Sequence, residues 1–255
     1  MPEESTLHPF DEETVRRYVA AVRGDAAPET VVPNDPNWSR RVVERARAGY
    51  ARAVAGDEAG ANAVSLGLAR ALAALQPTFV LPGAALTPWE ARIDRGVGML
   101  MRPPSRLFGE AGLAVPAARA MPIRLDPGAG MMGGAFVPAR LVPQLRAQLE
   151  AREARLVRRM TAAEMDGVAL YGQMLTAAAY AEERGLGLYE ALDAVTPGER
   201  DANPAAAIVL LPDRQRLDPA LRHRLEEAAK PPRKPGLIAR LRGRSADPPG
   251  PPPAR

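Results

Sequence analysis

Gly128-x-Gly130-x-x-Gly133, within the stretch GAGMMGGAF that runs to Phe136, has the spacing by which a glycine loop cradles a dinucleotide pyrophosphate. That chemistry also needs a buried strand running into the first glycine and a helix opening at the second. Here Ile123-Arg124-Leu125-Asp126-Pro127 precedes the loop, and Pro138 and Pro143 delay the next helix. Without strand, helix or a strand-end acid downstream, a nucleotide fingerprint is not formed. Two uses remain for the stretch: a hairpin turn, or a mobile loop over a pocket. Its candidate binding residues are Arg124, Gly128, Gly130, Met131, Met132, Gly133 and Gly134. The adjacent methionines give either an adaptable apolar tip or a gap filler.

A second set of chemistry-bearing residues is acidic. Glu150 and Glu153, then Glu164 and Asp166, fall on consecutive expected helices, and four converging carboxylates can hold Mg²⁺. The first pair resembles the Glu-x-x-Glu motif of the all-helical MazG-type pyrophosphohydrolases, over about 50 residues of the chain. The resemblance implies a Mg²⁺-dependent nucleotide phosphohydrolase built on these four residues. In that family a Glu-x-x-Asp follows, whereas Glu164-x-Asp166 splays its carboxylates about 200° apart on a helix. The same residues also have a structural reading: Arg146 and Glu150 form an i,i+4 pair, and Thr161 to Glu164 reads as a capping box.

Composition narrows the remaining chemistry. There is no cysteine, so disulfides and thiolate sites are excluded. Histidine occurs only at His8 and His223, which argues against histidine metal sites and serine triads. Lysine occurs only at Lys230 and Lys234, against 32 arginines, so the body offers no lysine for a P-loop or a Schiff base. No cofactor is expected. The net charge of +4 divides unevenly: residues 230–255 carry seven bases and one acid, leaving the rest at −2. Attraction to nucleic acid or an anionic membrane is thereby confined to the tail, where Leu237, Ile238 and Leu241 alternate with arginines. The start of the sequence lacks a signal-peptide pattern and no apolar run is long enough for a membrane span, so a cytoplasmic protein is expected.

The elements that position these residues are mainly helical. Helices are expected over 11–23, 37–56 and 58–75, the last almost free of charge, with Arg70 its only ion after Glu58. Residues 77–143 hold ten prolines and nine glycines, a Pro/Gly-rich insert. Thr87-Pro88-Trp89-Glu90 should open a helix there, and Ile123–Leu125 with Ala135–Val137 should form a small β-hairpin. Helices over 144–160 and 161–181 form a central antiparallel hairpin, with 167–181 uncharged. A short helix over 188–195, a strand or helix turn over 205–211 and a helix from Asp218 to Lys230 complete the body. The expected divisions are an N-terminal helical segment (1–76), the insert (77–143), a C-terminal helical segment packing with the first (144–230), and a disordered basic tail (231–255).

Seven arginines of the insert and its border, Arg92, Arg95, Arg102, Arg106, Arg119, Arg124 and Arg140, are placed to ring an anion or to pair with local acids. With so few nucleophiles and bases, a non-catalytic binding or protein-interaction role is expected. The charge-poor helices serve either the core of one chain or a homo-oligomer. Tethering to an anionic surface through the tail is the remaining alternative.

Overall fold

The structure, a computed structural model, describes residues 4–87, 93–125, 130–195 and 203–230. The tail and the helix start at Pro88–Glu90 lie outside the described residues. The described chain is mainly helical, around a five-stranded mixed sheet of order β3-β4-β1-β2-β5.

β1 (Glu4–Phe10) pairs antiparallel with β2 (Thr78–Pro82) on one side and β4 (Gly187–Leu192) on the other. β3 (Met132–Val137) adds antiparallel to β4 with an irregularity between Gly133 and Phe136, and β5 (Val209–Leu210) adds parallel to β2. Alternation along the strands sends Phe10, Phe136, Tyr189 and Ala191 to one face, and Leu7, Phe79, Leu81, Ala135, Val137 and Leu188 to the other.

Three helices cover the first face: α1 (Glu12–Arg23), α2 (Pro36–Val54) and α3 (Glu58–Leu75). Each begins at an aspartate whose carboxylate accepts from a first-turn N–H: Asp11 from Thr14, Asp35 from Trp38 and Asp57 from Ala59. α2 and α3 cross in near contact, since a Cβ on Gly49 would stand 2.7 Å from the Gly60 carbonyl oxygen and one on Gly60 2.6 Å from that of Gly49.

Within the insert, α4 is the single turn Arg95–Gly98, capped by Asp94, and is followed by α5 (Pro104–Glu110) and α6 (Val115–Arg119). Leu107, Phe108, Leu113 and Ala117 join the first core, whereas Ile93, Val97, Leu100 and Met101 join the second. The insert thus wraps the β3 edge, which it touches where the backbones of Arg102 and Phe136 exchange hydrogen bonds of 2.7 and 2.9 Å.

The second face is covered by α7 (Val142–Ala151), α8 (Glu153–Ala162) and α9 (Gly167–Glu183), with α10 (Pro219–Ala229) against α8 and α9. The run expected as one helix over 144–160 divides at Arg152 into α7 and α8, and both pack on α9. α3 and α9, the charge-poor helices, are largely buried within the chain.

Four local expectations are corrected. Residues 188–195 are not helix: 187–192 form a central strand, whose two faces are both covered and so show no polar alternation. Of 205–211 only Val209–Leu210 is strand. Thr161–Glu164 is no capping box: Glu164 turns at φ +61°, and Asp166 caps α9 through the Ala169 N–H. Ile123–Leu125 is not a strand, and β3 pairs with β4 instead of forming a hairpin with it.

Candidate functional site

The close crossing of α2 and α3 at Gly49 and Gly60 leads, toward the start of α2, into a groove of about 380 Å³ between the two helices. Trp38, Val42, Leu66 and Gly67 line it together with Arg41, Arg45 and Arg70, and no carboxylate lies among the described lining residues. Helical spacing places Arg41 and Arg45 one turn apart on the same face of α2. The Arg41 guanidinium stands 5.3 Å from the centre of the Trp38 ring, and the indole Nε1 donates to the Arg70 carbonyl at 3.3 Å. Trp38 is therefore fixed as a wall, capped by a cation on one side.

Arg70 is the more unusual group. It is half-buried, and its guanidinium donates to the Met131 sulfur at 2.9 Å and, at 3.5 Å, to the Ala194 carbonyl. A thioether is a weak acceptor, and neither partner carries charge. Burial, with the Arg45 charge nearby, lowers the pKa of Arg70 from the ordinary arginine value. Three cations thus share one concave surface without a counter-ion of their own among the described residues, an arrangement that favours an anion entering it.

The Gly/Met stretch adjoins this groove. Gly130 is exposed in the left-handed region (φ +77°), and Met131 is half-exposed at the groove's end, its carbonyl accepting from the Asn62 side chain at 3.0 Å. Asn62 also accepts from the Gly133 N–H at 3.0 Å, which fastens the stretch to α3. Met132 points into a small cluster with Ala85, Leu125 and Leu192. Gly133 and Gly134 are strand residues pressed against Ser65 and against Leu125 and the Glu190 carbonyl. Gly128 lies outside the described residues, and Arg124 is exposed. Of the sequence candidates, then, Met131 is the one that touches a groove arginine.

The four carboxylates of the metal reading are each placed separately. Glu150 pairs with Arg146, Glu153 accepts two hydrogen bonds from Arg224 (2.7 and 2.8 Å), Asp166 pairs with Arg214, and Glu164 sits in the turn before α9. Among the described residues no group of three or more His, Asp or Glu side chains is placed to hold a metal ion. Of the seven insert arginines, Arg102, Arg106 and Arg140 line one cavity, Arg95, Arg119 and Arg124 are exposed, and Arg92 lies outside the described residues.

Glu190, His8, Tyr189 and Tyr18, all wholly buried, have internal hydrogen-bond partners. The Glu190 carboxylate, wholly buried, accepts from the N–H groups of Leu86 (2.6 Å) and Thr87 (2.8 Å) and from the hydroxyls of Ser5 and Thr87; burial raises its pKa. His8, also wholly buried, lies between the hydroxyls of Thr6 (2.9 Å) and Thr78 (3.2 Å), and burial lowers its pKa to about 3. Tyr189 meets the Ser65 hydroxyl, and Tyr18 donates to the Val64 carbonyl at 2.6 Å.

Sequence reasoning did not assemble Trp38, Arg41, Arg45 and Arg70. The available signal was Arg70 itself, the one charge after Glu58 in α3. No protein-family model matches the chain, no curated protein matches it, and no solved structure matches it. Among the described residues no helix is long and apolar enough to cross a membrane.

Proposed function

We propose that this is a non-catalytic binding protein whose α2–α3 groove receives an acidic segment of a partner protein. The observation that carries the reading is the set of three arginines, Arg41, Arg45 and Arg70, lining one groove with no carboxylate among its described lining residues. Each guanidinium offers a planar fork of donors suited to a carboxylate. Trp38, Val42 and Leu66 add apolar surface beside the cations, so the favoured segment interleaves acidic with apolar residues. The Arg41 guanidinium lies over one face of the Trp38 ring and closes that face to a stacking nucleobase. Half-exposed Met131 supplies an adaptable rim at the groove's end.

Fluorescence anisotropy with a labelled peptide of alternating Glu and Leu tests this. Saturable binding is expected, weakening as salt is raised from about 0.05 to 0.5 M. The double substitution Arg41→Glu/Arg45→Glu is expected to weaken it by about tenfold or more. Both side chains are exposed, so the double variant should fold. Absence of binding at low salt, or equal affinity in the double variant, would refute the reading, as would a preference for an RNA oligonucleotide of equal charge.

A further inference from the structure

A second concavity, of about 350 Å³, lies at the end of the sheet where β1 runs into α1. Its volume falls within the range of small-ligand sites, roughly 300–1,000 Å³. The floor is aromatic: Phe10 from β1 and Phe136 from β3 meet edge to face, with ring centroids 6.0 Å apart. Val15 and Leu107 extend the apolar surface. This floor is built in, because a Cβ on Gly187 of β4 would come within 2.5 Å of the Phe10 ring.

The rim is charged, and sorting its ions by partner leaves a definite remainder. Arg16 pairs with Glu12 (2.9 Å) and Glu13, and Arg106 pairs with Glu110 (2.8 Å). The Asp11 carboxylate is spent on capping α1, accepting from the Thr14 N–H and hydroxyl at 2.7 Å each. Two guanidinium groups keep no carboxylate among the described residues. Among the described residues Arg102 donates only to the carbonyls of Met99 and Met101, both at 3.0 Å, and its own backbone is pinned to Phe136. Arg140 is exposed, with no hydrogen bond or ion pair among the described residues. One cation is thus held in place beside the aromatic floor, and a second is free to close on a ligand.

We propose that this cavity binds an aromatic monocarboxylate, its ring on the Phe10–Phe136 floor and its carboxylate between Arg102 and Arg140. Edge-to-face ring contacts and a bidentate guanidinium–carboxylate pair are the two interactions such a molecule supplies together. A fully polar anion forfeits the floor, and a neutral aromatic forfeits the arginines. The site is separate from the α2–α3 groove and does not depend on the reading given to it.

The test uses the full chain with 3-phenylpropionate and its primary amide, by isothermal titration calorimetry and saturation-transfer NMR. Binding of the acid is expected, with the amide about tenfold weaker. Arg140→Gln should weaken the acid by a similar factor and leave the amide unchanged. Arg124→Gln, an exposed arginine outside the cavity, should alter neither, and Arg41→Glu/Arg45→Glu should leave acid binding intact. No detectable binding of the acid, equal binding of acid and amide, or an Arg140→Gln variant with unchanged affinity for the acid would each overturn the proposal. Because Arg140 is exposed and has no hydrogen bond or ion pair among the described residues, its variant should fold, and matching thermal melts separate loss of binding from a folding defect.

Discussion

A histidine held neutral between two threonine hydroxyls makes the protein's stability depend on acid in a calculable direction. Unfolded, His8 titrates near 6.5; folded, it titrates near 3. Between those values the unfolded chain binds a proton that the folded chain refuses, so stability falls as pH drops below about 6.5. The slope from this residue is about 1.4 kcal/mol per pH unit. Glu190 runs the opposite way: its folded pKa is raised, so its contribution is greatest in acid and is lost as pH rises through the folded value. Comparing urea denaturation of the wild type with His8→Gln at pH 7 and pH 5 isolates the histidine. The variant, lacking the titrating ring, should lose less stability between the two pH values. An identical loss in both proteins would mean that His8 can take up its proton without unfolding. None of this was legible locally, because the second hydroxyl against the ring belongs to Thr78, 70 residues away.

At the scale of elements, the sequence announced helices well and strands poorly, for physical reasons. Asp11, Asp35 and Asp57 stand immediately before apolar periodic runs, and each proves to be an N-cap. The uncharged run in α9 marked it as buried in the same way. β1 carries Pro9, His8 and Thr6, and Ser5, Thr6 and His8 each need a partner from a distant strand, so ESTLHPF has no strand signature of its own. The Gly/Met stretch shows the same limit. Its glycines suggested a turn, whereas Gly133 is needed because α3 lies directly on β3: a Cβ there would stand 2.0 Å from the Ser65 hydroxyl oxygen and 2.5 Å from its carbonyl carbon. Gly130 has open space but a left-handed backbone. Gly133→Ala should therefore push α3 off the sheet and destabilise by about 1–3 kcal/mol. Gly130→Ala should cost about 1 kcal/mol, from backbone strain alone. Chemical denaturation ranks them, and near-ultraviolet circular dichroism should change for Gly133→Ala only. The groove was not read from the sequence: the spacing of Arg41 and Arg45 is compatible with one helix face, but their lack of acidic partners among the described residues is a property of the packed molecule.

For the whole molecule, charge and contact separate by region. Residues 231–255 hold six bases and one acid, so a chain ending at Lys230 has a net charge of −1 instead of +4. If the tail provides the tether to anionic surfaces, the shortened chain should elute from heparin at markedly lower salt, while binding of the Glu/Leu peptide stays within about twofold. A peptide affinity that fell with the tail would place the acidic-partner site there and not in the groove. Equal heparin elution of both chains would remove the tail from the account.

The sheet order carries a last consequence, in time. β1 sits at the middle of the sheet, and one of its two neighbours is β4: the Thr6 hydroxyl bonds to the Ala191 carbonyl 185 residues further on. At synthesis rates of 5–20 residues per second, roughly 10–40 s pass between the making of these two residues. Throughout that interval the first strand can pair with β2 alone, and its other edge stays open to stray strands. The three capped helices that follow β1 fold on local signals and can cover one of its faces meanwhile, but the pairing with β4 cannot form until the chain has been made as far as Leu192.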